Sequence, residues 1–128
     1  MRHQNSKMLE LSTGDVKTSI FVRQLLTNLV RTGKVTTTSK RAKILKSEAN
    51  AFFARLVRLH KTLEPKDAKR ECIRFVKSVI YGEAEGKKVL ATWLPKYLAE
   101  GAKSSYVVDY KLGFRVGDAA AKILVKLI

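Results

Sequence analysis

Apolar residues recur first with a helical period and, near the end of the chain, with a period of two, so the pattern divides the sequence into a helical front and a stranded close. From Asp15 to Thr32, the positions Val16, Ile20, Phe21, Leu25, Leu29 and Val30 mark one helix, with Ser12 or Thr13 as cap and Gly33 as terminator. Lys34-Val35-Thr36-Thr37 is β-branched and too short for a helix, which predicts a short strand. Thr38 or Ser39 then caps a longer helix running to about Leu63, with the stripe Leu45, Ala49, Phe52, Leu56, Leu59 and Leu63 and with His60 on its apolar side. Glu64-Pro65 opens a third helix through Ala68, Cys72, Val76 and Val79, ending near Gly82, because proline suits a first turn. A fourth spans Glu83 to Leu94 through Val89, Leu90 and Trp93, and Pro95 is expected to break or restart it.

Beyond Gly101 the period changes. Tyr106, Val108, Tyr110 and Leu112 alternate with Val107, Asp109 and Lys111; Ala121, Ile123, Val125 and Leu127 alternate with Lys122, Leu124 and Lys126. Between them Gly113-Phe114-Arg115-Val116-Gly117-Asp118 is rich in turn formers, so an antiparallel hairpin is predicted. Tyr106, Tyr110 and Trp93 lie on apolar faces and are expected in the core, whereas Phe114 in the turn is expected to be exposed. The resulting order is helix, strand, three helices and a two-stranded antiparallel hairpin: a two-layer α+β fold with helices packed on a small sheet. Residues 1–13 are polar and aperiodic and read as an extended basic arm; residues 14–128 read as a single globular domain, which a length of 128 residues accommodates.

Charge changes the picture. Twenty-six Lys and Arg stand against 11 Asp and Glu, a formal net charge of +15 that points to a polyanionic partner. Most of the surplus lies in residues 1–63, and the middle of the chain reads as scaffold by comparison. No apolar run approaches the ~20 residues of a spanning helix and no signal peptide opens the chain, so neither a membrane nor export is expected and the protein is placed in the cytoplasm. Cys72 is the one cysteine, which excludes an internal disulfide and a multi-thiolate zinc site; His3 and His60 are not spaced as ligands, so no metal is expected.

Catalytic patterns are missing as well: there is no glycine-rich phosphate loop, no His-Glu metal helix and no Gly-x-Ser-x-Gly elbow, so neither an enzyme, a cofactor nor a small-molecule substrate is expected. Glu83 and Glu85, two apart on a helix, point to different faces. The cations are better candidates, because phosphate binding needs only positive donors repeated on a rigid support. Three sets stand out: Arg2, His3 and Lys7 on the arm; Lys17, Arg23 and Arg31 on the first helix; Lys40, Arg41, Lys43 and Lys46 at the start of the second. Any one of these alone reads as a solvated surface residue, but cations in a first helical turn oppose the positive end of the dipole, a cost of roughly 0.3–1 kcal/mol each that a bound phosphate relieves. A DNA-compacting or regulatory protein would share such contacts, yet no helix-turn-helix or zinc-finger signature accompanies them.

Particular residues add a family resemblance. Met1-Arg2-His3, Leu29-Val30-Arg31 followed by Val35-Thr36-Thr37-Thr38 and Arg41-Ala42-Lys43, and the closing Lys111-Leu112-Gly113-x-Arg115-x-Gly117-Asp118-Ala119-Ala120 resemble the seventeenth large-subunit ribosomal protein family of bacteria. The resemblance implies a structural protein, monomeric within the ribosome, that binds 23S rRNA on the solvent side near the tunnel exit, lies among neighbouring large-subunit proteins and supports assembly. Carried onto this sequence, it implies RNA contacts from Arg2, His3, Arg31, Lys34, Thr36, Thr37, Arg41, Lys43, Lys111 and Arg115, with Asp118 shaping the turn. The chain departs from the family pattern at Gln4, Glu10, Asp15 and Val107-Val108-Asp109, and carries Lys40 and Lys46 as extra cations expected to compensate.

Overall fold

The computed structural model describes residues 15–101 and 105–128, with side chains from residue 20 onward in the first helix. Helix α1 (Asp15–Thr32) ends where Gly33 turns left-handed at φ 81°, a conformation glycine adopts without a Cβ penalty. The Gly33 N–H closes on Leu29 O at 2.7 Å. This turn delivers strand β1 (Lys34–Thr37), after which α2 (Ser39–Thr62) begins directly. Its buried residues Ala42, Leu45, Ala49, Phe52, Phe53 and Leu56 form the spine of the fold. Helix α3 (Pro65–Val79) folds back on α2 through Ala68, Cys72 and Val76.

The fourth helix runs as α4 (Glu83–Lys88), a π turn (Val89–Trp93) and α5 (Leu94–Ala99) on one continuous path. Pro95 therefore does not break it. The widened turn lets the Leu94 N–H reach Val89 O, and Pro95 falls at the start of α5, where its missing donor is not required. The same turn positions Trp93 to donate Nε1–H to Val30 O at 3.3 Å, tying the fourth helix to α1.

Strands β2 (Val107–Phe114) and β3 (Ala121–Leu127) form the expected hairpin, and β1 adds to the other edge of β3, giving the antiparallel order β1-β3-β2. Ile123, Val125 and Leu127 alternate inward onto α2, with Val107 beside them. At the centre, Phe53 meets Tyr97 at 5.0 Å and Tyr97 meets Tyr106 at 4.9 Å, both edge to face, a geometry favoured by the ring quadrupoles. The two-layer α+β order read from the pattern is the observed one.

Four burial expectations fail: the end of α2 outruns the core, and β2 turns the opposite face inward. His60 and Leu63 (38% exposed) lie at the C-terminal end of α2, past the layer that Leu56 and Val57 seal, so the end of the stripe faces solvent. Tyr110 is 52% exposed because Val107 and Asp109 take the face of β2 toward α2, the reverse of the expected alternation, which turns Tyr110 to the open face; Leu112, also 52% exposed, falls at the irregularity between Lys111 and Gly113. Phe114 at 72% is exposed as expected.

Candidate nucleic-acid interface

The junction of β1, α2 and the hairpin tip is where cations and hydroxyls converge. Thr36, Thr37, Thr38 and Arg41 come from the β1–α2 connection; Arg115, Ala120, Ala121 and Lys122 come from the hairpin, which pairs back onto β1 through β3. Together they line a concavity of about 230 Å³. Thr38 occupies the cap position of α2 in extended backbone, yet its side chain makes no capping bond, and the first turn carries no acidic residue. The amide ends of α2 thus open toward a wall bearing Arg41, Arg115 and Lys122, with Lys40 and Lys43 exposed on the adjoining turns. Backbone donors, a positive dipole end and guanidinium groups are the parts from which phosphate sites are made.

The carboxylates of the hairpin are already engaged. Asp118 takes a bidentate contact from Arg115, Nε donating at 2.8 Å, and accepts the Ala120 N–H at 3.1 Å. These bonds, the Arg115 side chain first, stabilise the carboxylate and pull its pKa down to about 2. They also hold the tip, where Ala119 sits at φ 57° and the Arg115 N–H meets Ala120 O at 2.8 Å. Asp118 shapes the turn and orients Arg115. Asp109 is bound by Lys46 Nζ at 2.8 Å, which keeps its carboxyl below the ordinary range.

The candidate cations therefore sort into two groups. Three are engaged inside the fold. Arg23 is half-buried, donates Nε–H to Val79 O at 3.0 Å and stacks 4.1 Å from the Tyr81 ring centroid. Arg31 pairs with Glu85 at 2.8 Å, and a backbone N–H first, then this contact, hold Glu85 below the ordinary carboxylate range. Lys46 is bound to Asp109, so it is not the free extra cation that was expected. Arg115 is exposed but held by Asp118 at the hairpin tip, whereas Lys34, Thr36, Lys40, Arg41, Lys43 and Lys111 are exposed and Thr37 is half-buried. Arg41 is braced 4.8 Å above the Phe21 ring, which fixes its direction without neutralising it. The side chain of Lys17, and Arg2, His3 and Lys7 with the whole 1–13 segment, lie outside the described residues.

Sequence reasoning missed Lys122 and Lys126. Their alternation with buried Ile123, Val125 and Leu127 was the available signal, since it sends both lysines to the far face of β3. Among the described residues no three His, Cys, Asp or Glu side chains gather as metal ligands, and no helix is long and apolar enough to cross a membrane.

Comparison with known proteins gives this geometry its context: residues 21–128, which include every group of the concavity, match the family model described as Ribosomal protein L17. The chain belongs to the ribosomal protein L17 family. Among its relatives is the large ribosomal subunit protein bL17 of Desulforamulus reducens, 33% identical over 118 residues, which covers 92% of this chain and 94% of the relative. The family is one of ribosomal proteins, structural rather than enzymatic, as the lack of catalytic patterns led one to expect.

Proposed function

We propose that the chain is a constituent of the large ribosomal subunit in the cytoplasm, that it binds 23S rRNA through the β1–α2–hairpin junction, and that it supports subunit assembly and translation. The observation that carries this reading is the concavity itself: Arg41 and Lys122, with Arg115 oriented by Asp118, line it together with Thr36, Thr37 and Thr38 at a helix start that has no side-chain cap, while the nearby Asp109 is occupied by Lys46. An RNA phosphate placed there relieves the repulsion among these cations and the helix end. Lys34, Lys40, Lys43 and Lys111 extend the positive surface around it. Arg2, His3, Lys7 and Lys17 join the same set, with residues 1–13 as a basic arm reaching from the globular 14–128 domain toward RNA and neighbouring subunit proteins.

Sucrose-gradient fractionation of cell lysate tests the reading. The chain should sediment with the large subunit and stay there through a moderate salt wash. Recovery in the free fraction, or on DNA, would refute it.

A further inference from the structure

The two faces of the sheet are chemically opposite. Val35, Val125, Ile123 and Val107 point to the helices, and Asp109 lies on that side, held by Lys46 of α2. On the other face the register builds three rows: Lys34 opposite Lys126, which is in turn opposite Val108; Thr36 opposite Leu124, in turn opposite Tyr110; and Lys122 opposite Gly113. Rows two residues apart stand about 6.8 Å from one another. This face carries three lysines and no carboxylate, and Lys34, Thr36, Tyr110, Lys122 and Lys126 are all exposed. Two like charges directly opposed across a ladder destabilise it. Neither Lys34 nor Lys126 has an acidic partner among the described residues that would cancel that cost. Gly113, at φ 108° with open space where a Cβ would stand, leaves the Lys122 row without a side chain above it.

We propose that this open sheet face binds a short unpaired segment of RNA, one base lying on the Tyr110 ring beside Leu124 and the flanking phosphates meeting the Lys34–Lys126 pair and Lys122. The inference rests on the rRNA reading above and adds the class of RNA. A duplex hides the faces of its bases, whereas a loop or bulge offers them to an aromatic platform flanked by cations. An acidic protein segment would satisfy the lysines but gains nothing particular from a half-exposed tyrosine ring set between two of their rows.

The test uses the full chain and two probes of equal phosphate number, an unstructured oligoribonucleotide and a blunt RNA duplex, followed by fluorescence anisotropy. Tyr110→Ala should weaken single-strand binding at least about fivefold, the lower end of the stacking contribution of one base. It should leave duplex binding unchanged, and Tyr110→Phe should bind both probes like the parent. Equal affinity of Tyr110→Ala and parent for the single strand, or equal losses on both probes, overturns the sheet proposal while leaving the rRNA reading intact. Failure of the parent to bind either probe overturns both. In assembled subunits, a photo-cross-linker at position 110 should label RNA; labelling of a neighbouring protein instead overturns the proposal.

Discussion

Removing Arg41 and Lys122 together tests whether the concavity binds phosphate. Both side chains are exposed, and neither has an ion-pair partner among the described residues. Arg41→Ala forfeits only its contact with Phe21, worth about 0.5–1 kcal/mol of stability, so the Arg41→Ala/Lys122→Ala protein should fold. Each neutralised phosphate contributes about 0.7 to 0.9 to the slope of log K against log salt, so losing two contacts should flatten the slope by about 1.4 to 1.8. Referred to 0.1 M salt, that is roughly a 25- to 60-fold loss of affinity from the electrostatic part. The matching control is Lys46→Ala/Asp109→Ala, which deletes an internally neutral pair and should leave the slope unchanged. The assay is anisotropy on an rRNA fragment across about 50 to 200 mM salt. A parental slope in the Arg41/Lys122 variant, or an equal drop in the control, would refute the reasoning.

Phe53→Ala, at the centre of the aromatic cluster and fully buried, should cost about 3–5 kcal/mol in a urea melt. Gly33→Ala should cost about 1–2 kcal/mol although its Cβ meets Trp93 only at van der Waals distance (3.5 Å), because the penalty is the left-handed backbone; an unchanged melting temperature would contradict this. Asp118 is held near pKa 2 in the folded tip, below its ordinary 3.8, so its contribution is fully present above about pH 4 and lost as pH falls through about 2. The Ala120 amide resonance should follow that titration while core amides stay put. Cys72 is buried and its thiol is pushed up chiefly by burial, so a disulfide reagent should label it only at the rate of opening, and rapid labelling of native protein would argue against the packed α2–α3 interface.

Local pattern was strong wherever one face of an element is buried along its whole length. The stripe from Leu45 to Leu56 located α2, and the alternation of Ile123, Val125 and Leu127 located β3, because each periodicity is imposed by a core on one side. It weakened where burial stops before the element does, as at His60 and Leu63, since apolar spacing does not record how far the neighbouring layer extends, and at Tyr110, where β2 carries apolar residues on both faces and the register chose the Val107 side as the inner one. Pro95 likewise reads as a break because the π turn that accommodates it leaves no mark in the apolar spacing.

By itself the sequence determined the element order, the faces of the helices and the excess of cations, all of which follow from residue type and spacing along the chain. Which cations remain available was decided by the tertiary structure: Arg23, Arg31 and Lys46 meet partners 54 to 63 residues away, and Arg41 meets Arg115 and Lys122 only because β1 pairs with β3. Alternation tells a strand which way its side chains point but not which strand lies beside it. That choice is made when distant segments close on a shared core, and it is what turned a basic chain into a shaped phosphate surface.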